Sequence, residues 1–188
     1  EPIEQMAMFR AMPNFHTFRP ADGRETIAAW YSAITSKETP TALVLTRQNL
    51  PQLEGSGKEA LKGAYVIKES TKAVPDMILM ASGSEVSLCL EAAKQLLEKG
   101  IDARVVSMPC LDLFEEQSKE YKASVLPNEV RKRLAVEALS GFGLDRYVGL
   151  DGKIIAMEGF GASGPQDKLF KKFGFTVENV VATYLSLN

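Results

Sequence analysis

The residue with most to offer chemistry is Arg47, which follows the apolar run Thr41-Ala-Leu-Val-Leu-Thr46 and directly precedes the polar pair Gln48-Asn49. Such a run predicts a strand, and in parallel α/β sheets ligands collect outside the carboxyl ends of strands. A guanidinium presents a planar fork suited to phosphate or carboxylate, and it keeps its charge at any working pH. Residue type alone leaves two uses open for it, anion binding and a structural ion pair. Arg19 ends a shorter β-prone stretch, Phe15-His-Thr-Phe-Arg19, ahead of Pro20. With Asp22 and Glu25 close in sequence, Arg19 is expected to pair with them.

Two glycine turns could meet a ligand through backbone N–H groups. Gly159-Phe-Gly161-Ala-Ser-Gly164 has the spacing of a dinucleotide fingerprint, behind a predicted strand and ahead of a predicted helix. The rest of that context fails, because the acid about 20 residues on, Glu178, opens a predicted helix and no further strand follows. The segment reads instead as a tight turn whose small residues let the chain pass close to a neighbour. Ala81-Ser-Gly83-Ser-Glu85 could cradle an anion at a helix start, but the commoner use is Ser84 capping its own helix.

Metal and nucleophile chemistry has little to draw on. His16 is the sole histidine, and with Cys89 and Cys110 it makes at most three scattered ligands. Cys89 shares a predicted helix face with Ala93 and Leu96, which is core packing. Cys110, behind Met108-Pro109 at a strand end, is open to exposure, with no histidine implied beside it. His16 on its short strand predicts a packed or hydrogen-bonded imidazole.

The elements that must position these residues alternate. Glu1 to Met12 predicts a helix stopped by Pro13-Asn14, with Ile3, Met6 and Phe9 on one side. Asp22 with Glu25 is a capping-box-like start for a second helix, along which Ile27, Trp30, Tyr31 and Ile34 recur at helical spacing. Helix, strand, helix, strand is a parallel α/β order. Residues 48–62, with Pro51, Gly55, Ser56 and Gly57, read as an interdomain linker. Alternation then resumes with Tyr65 to Ile67 as an edge strand and Met77 to Ala81 as a buried one. A long helix follows Ser84, with Val86, Leu90, Ala93 and Leu97 expected inward and Gly100 as its stop. Ala103 to Ser107, Leu134 to Val136 and Lys153 to Met157 are further strands. Short helices are expected within residues 112–128, 166–173 and 177–187. The fold class is therefore α/β: residues 1–47 are the tail of one parallel-sheet domain. Residues 63–188 form a complete, smaller three-layer domain with a mostly parallel sheet.

Composition excludes several classes. With 22 basic and 24 acidic residues, the formal charge of −2 offers nucleic acid no electrostatic footprint. No apolar run approaches the about 20 residues of a membrane span. Two cysteines are not a disulfide framework, and with no signal peptide a cytoplasmic location is expected. The sequence opens at Glu1, without an initiator methionine, on a segment that already reads as helix; a piece of something longer is expected.

Glu1-Pro-Ile-Glu4, Phe18-Arg-Pro-Ala-Asp-Gly23, Leu45-Thr-Arg-Gln-Asn-Leu-Pro51, Ala81-Ser-Gly-Ser-Glu-Val86 and Phe160-Gly-Ala-Ser-Gly164 each resemble a segment of transketolase, in that family's order. The resemblance runs the whole chain and covers the end of the family's pyrimidine-binding domain and its C-terminal domain. It implies a parent enzyme that uses thiamine diphosphate and a divalent cation (Mg or Ca). That enzyme passes a two-carbon ketol unit from a ketose phosphate to an aldose phosphate, in the pentose phosphate pathway, as a homodimer. Arg47 matches the family's arginine that grips the substrate's terminal phosphate. No catalytic, cofactor-binding or metal-ligating residue of the family matches a position here, so this stretch alone is expected to be inactive. Arg24 and the stretch around Cys110 depart from the family's pattern. A related thiamine enzyme such as dihydroxyacetone synthase, or a separately encoded transketolase subunit, would share these segments. A rival of another class is a non-catalytic, ligand-sensing α/β module built on the glycine turns.

Overall fold

The computed structural model describes residues 1–187 and holds two sheets. In the first, β1 (His16–Phe18) pairs in parallel with β2 (Thr41–Leu43), and α2 (Gly23–Thr35) makes the crossover between them. A short helix, α1 (Gln5–Arg10), precedes them. The second sheet runs in the order β3-β5-β4-β6-β7, from Tyr65–Lys68, Ala103–Ser107, Met77–Ala81, Arg133–Ser140 and Lys153–Met157. Its pairs are parallel except β3, which joins the edge antiparallel to β5.

The β4 sequence explains why this sheet has two covered faces. Alternate side chains of a strand point to opposite faces, so a continuous apolar run needs a core on each side. Met77, Leu79 and Ala81 pack with Val105, Leu134 and Val136 against α3 (Glu85–Glu98) and α8 (Val177–Leu185). Ile78 and Met80 pack on the other face with Phe114, Val125 and Tyr147. Those come from α4 (Leu111–Glu115), α5 (Lys119–Val125) and α6 (Asp145–Val148). Helices on both faces of a mostly parallel sheet make the three-layer α/β arrangement.

Several elements depart from the sequence expectation. The first helix spans Gln5–Arg10 only, and β2 ends at Leu43, three residues short of Thr46. In α3 the buried face is Val86, Cys89, Ala92, Ala93 and Leu96, while Leu97 is exposed. In α2 the small side chains Ala28 and Ala29 pack on the described elements, and Ile27, Trp30, Tyr31 and Ile34 lie on the opposite face, left uncovered by any described residue, Ile34 at 76 %. Helical spacing identifies a stripe without saying which side the neighbours occupy. Residues 48–62 connect the two sheets but are not slack. Leu53, Ser56 and Ala60 are buried, and Lys58–Lys62 forms a 3₁₀ turn against α2. The last helices, α7 (Gln166–Phe173) and α8, fall where expected.

Gly63 joins that 3₁₀ turn to β3 at φ +83°, a left-handed conformation that favours glycine. A Cβ there would lie 2.2 Å from the Phe114 nitrogen and 2.3 Å from the Cys110 oxygen, so α4 is seated directly on a bare backbone. Gly63→Ala is therefore expected to cost about 2–4 kcal/mol through combined clash and strain. Urea denaturation of the variant checks this, and an unchanged midpoint would mean that α4 can lift without cost.

Candidate functional site

The carboxyl ends of β1, β2, β4 and β6 converge, and a buried group of charges lies where they meet. Arg19 leaves the end of β1 and reaches Glu85 at the start of α3, Glu137 on β6 at 2.9 Å, and the Ser82 carbonyl at 2.7 Å. Arg10 of α1 donates to Glu137 at 3.1 Å. Glu85 also accepts the Ala138 N–H at 2.9 Å, and the Ser82 hydroxyl lies 3.2 Å from Glu137. All four charged side chains are nearly or wholly buried. Arg19 thus does not pair with Asp22 and Glu25, as sequence proximity suggested. The strand aims its guanidinium across to the second sheet, where two carboxylates from distant parts of the chain are waiting.

Burial alone would push the Glu137 carboxyl up, but the Arg10 and Arg19 guanidiniums hold it below the ordinary carboxylate value. Burial likewise works against the Arg19 charge, and Glu85 with Glu137 outweighs it and raises the guanidinium. Glu25 goes the other way. It is fully buried, and desolvation raises its carboxyl despite hydrogen bonds from Ser107, Tyr65 and the Ala21 N–H.

The Ala81–Glu85 turn is part of this junction. Gly83 takes φ +59°, and a Cβ on it would sit 2.8 Å from the Arg19 guanidinium carbon. The N–H of Gly83 donates to the Arg19 carbonyl at 3.0 Å. Ser84 does not cap α3 with its side chain as expected; its hydroxyl donates to the Glu85 carboxylate instead. Its helical φ and ψ differ from the extended conformation in which a capping side chain turns back to the helix.

Above the charges lies a cavity of about 360 Å³, lined by Glu1, Thr46, Gln48, Gly83, Ser84 and Phe170 among others. Arg47, between Thr46 and Gln48 of that lining, is exposed, with neither a hydrogen bond nor an ion pair to any other described residue. The structural ion pair left open for it in sequence is therefore not made here. Three larger clefts lie elsewhere: about 530 Å³ beside His16 and Glu116, about 800 Å³ along the β7 edge, and about 430 Å³ between Lys119 and Arg146. The cleft along β7 meets the carboxyl ends of β6 and β7 alone, whereas the 360 Å³ cavity joins the segments that follow β1, β2 and β4 with β6, and ligands in this fold class collect at such strand ends.

The remaining candidates settle into structural places. His16 is buried, with its Nε2 3.3 Å from Glu116. Cys89 lies in the core as expected. Cys110 is also buried, against the reading that left it open to exposure, and burial pushes its thiol up to about 12. The sequence places it after a strand end, but Phe18 of β1 and Ala29 of α2 cover it. Gly159, Gly161 and Gly164 all avoid the left-handed region, and a Cβ would fit at each. Close passage therefore does not explain them; Gly161 exchanges hydrogen bonds with Glu1 through its own backbone. Among the described residues no three His, Cys, Asp or Glu side chains come together as a metal would need. No described helix is long and apolar enough to cross a membrane. Sequence reasoning missed Glu85, Glu137 and Arg10; an acid in each of two segments flanking apolar strands was the only signal available.

The fold and the site define an α/β protein with an exposed arginine and a cavity of mixed lining at the carboxyl ends of parallel strands. Comparison with known proteins narrows this. Residues 63–176 match the transketolase-like C-terminal domain, and residues 1–52 match the transketolase pyrimidine-binding domain. The chain is 53% identical to the transketolase of Bacillus subtilis over 185 residues, 96% of this chain and 28% of that protein. It superposes with a TM-score of 0.92 at 48% identity on the Pichia stipitis transketolase solved with sedoheptulose-7-phosphate, covering 100% of this chain and 27% of that one. A Leishmania mexicana transketolase gives the same TM-score at 44% identity, again over 100% of this chain and 27% of the other. The chain belongs to the transketolase family and spans little more than a quarter of the length of these relatives.

The low-lying Glu137 sets a pH dependence. A carboxyl depressed in the folded state contributes stability in full above its unfolded value of about 4.3, and loses it as pH falls through the folded value. Glu137→Gln is expected to cost about 3–5 kcal/mol at pH 7, because it strands the buried Arg10 and takes from Arg19 one of its two carboxylates. The gap from wild type should narrow in acid. Urea midpoints at pH 7 and pH 3.5 test this, and a gap independent of pH would place the energy in packing rather than charge.

Proposed function

We propose that this chain is the carboxyl-terminal portion of a transketolase and contributes the grip on the substrate's terminal phosphate. Residues 1–47 would then close the pyrimidine-binding domain, residues 48–62 join the domains, and residues 63–188 form the C-terminal domain. The observation that carries the reading is Arg47, an exposed guanidinium without a partner among the described residues, on a loop whose adjacent Thr46 and Gln48 line a cavity at converging strand ends. The relative solved with sedoheptulose-7-phosphate supports sugar phosphates as its ligand class.

Thiamine diphosphate with a divalent cation, when bound, supplies the cleavage of the carbon–carbon bond. By resemblance to the family, its hold is proposed to lie in other domains of a homodimeric, cytoplasmic enzyme. What Arg47 does is bind and orient. Its planar fork can meet two phosphate oxygens at once. The phosphate is remote from the reacting carbons, so binding energy gained there is used to align the sugar for reaction.

In the full-length enzyme, Arg47→Ala is expected to lower kcat/KM for phosphorylated sugars by roughly 10- to 200-fold, the equivalent of about 1.5–3 kcal/mol in lost charge-assisted bonds. Unphosphorylated donors should change little. Steady-state kinetics with paired donors decides the matter, and an equal loss for both would remove the phosphate role. Intact-mass measurement of the natural protein should return a polypeptide several times larger than this chain; a separate polypeptide of this size would make it a subunit.

A further inference from the structure

We infer that Asp22 positions Arg47 by tying down the far end of the loop that carries it. This role rests on the phosphate grip proposed for Arg47. The loop leaves β2 at Leu43 and has no regular structure until the 3₁₀ turn at Lys58. Its near end is held by backbone: the Val44 N–H donates to the Phe18 carbonyl at 2.8 Å, extending the β1–β2 ladder by a step.

At the far end one side chain takes three hydrogen bonds from the loop. The Oδ1 atom of Asp22 accepts the Glu25 N–H at 2.9 Å and caps α2. Its Oδ2 atom faces the loop, accepting from the Leu53 N–H at 2.9 Å, the Gln52 side-chain amide and the Ser56 hydroxyl. Asp22 is only 4 % exposed, so these donors stand in for the water that a carboxylate would otherwise hold. The turn closes on itself as well, because the Ser56 hydroxyl donates to the Leu53 carbonyl at 2.9 Å. Arg24, which departs from the family's pattern, reaches that carbonyl at 3.4 Å.

Both ends of the Arg47 loop therefore hang from one short segment, Phe18 to Asp22. That segment is itself fixed, since Arg19 is locked into the buried charges and its N–H donates to the Pro109 carbonyl at 2.8 Å. The Arg47 side chain has no partner of its own among the described residues, so the path of its backbone sets where the guanidinium stands. A helix cap needs only Oδ1. The three donors on Oδ2 are what a cap does not require.

The two oxygens can be separated by substitution. Asp22→Asn keeps a good helix cap but turns an NH₂ group toward three donors, which releases the loop. In the full-length, thiamine-loaded enzyme this variant is expected to raise KM for a phosphorylated ketose about tenfold, with kcat and the kinetics of an unphosphorylated donor near wild type. A purely structural role would lower the melting temperature and affect both donors alike. If Asp22→Asn does not fold, the double variant Gln52→Ala/Ser56→Ala removes two of the donors and leaves the cap. It is expected to give a smaller, phosphate-selective rise in KM of about threefold. Equal effects on both donors, or none in a background where Arg47→Ala keeps its phosphate-selective loss, overturn the positioning role. Arg47→Ala without phosphate selectivity would instead remove the phosphate grip itself, and with it the role of Asp22.

Discussion

Two arginines and two glutamates share a site nearly closed to water, and the arrangement of everything around them follows from that. Burying a single charge is far costlier than any one contact can offset, so each must be met by an opposite charge at hydrogen-bond distance. Arg10 and Arg19 come from the first sheet and its helix, Glu85 and Glu137 from the second. Neither pair could stand in its own half without the other. The ends of β1, β4 and β6 are therefore held in one relative placement, with Gly83 bare because the Arg19 guanidinium lies against it. Apolar packing would have allowed some sliding at this junction; a network of directed, charge-assisted bonds allows much less.

The cavity beside Arg47 inherits that fixity. Its floor is the Arg19 crossing, one wall is the Gly83–Ser84 turn, and another is the loop after β2. The loop itself hangs between Phe18 and Asp22, on either side of Arg19. An irregular segment thus carries an exposed arginine, yet both of its attachments lead back within two or three residues to the buried charges. Function on a loop and precision in its placement are reconciled by anchoring rather than by regular structure.

What could be read from the residues depended on how local the cause was. The run Met77-Ile-Leu-Met-Ala81 announced a strand covered on both faces, because no other environment accommodates five consecutive apolar side chains on a strand. Asp22 followed by Glu25 announced a helix start, and the N–H of Glu25 does meet the Asp22 carboxylate. Arg47 was legible as a strand-end arginine. The partners of Arg19 were not, since Asp22 and Glu25 are near in sequence while Glu85 and Glu137 are near only in the folded chain. The inward side of α2 was hidden for the same reason, because a stripe of large apolar residues marks a face without naming its neighbour. The second task of Asp22 was also illegible: a capping residue shows one oxygen's use in its local sequence and nothing of the other's.

Among the described residues the first sheet is covered only by a small cluster. Its cluster consists of Phe18 and Ala29 with Cys110, joined by Leu43 and by Leu113, and two of these five belong to the segment around α4. The second sheet, by contrast, has a full core on each face. The two therefore differ in how their amide protons are shielded. Those of β4, β5 and β6 can meet solvent only when the second sheet comes apart as a whole. Those of β1 and β2 are released by any opening that parts the first sheet from α4 and breaks the buried charges, leaving the larger sheet intact. For these residues taken by themselves, isotope exchange is thus expected to be graded by the seam between the sheets, with the arginine loop on the side that opens first.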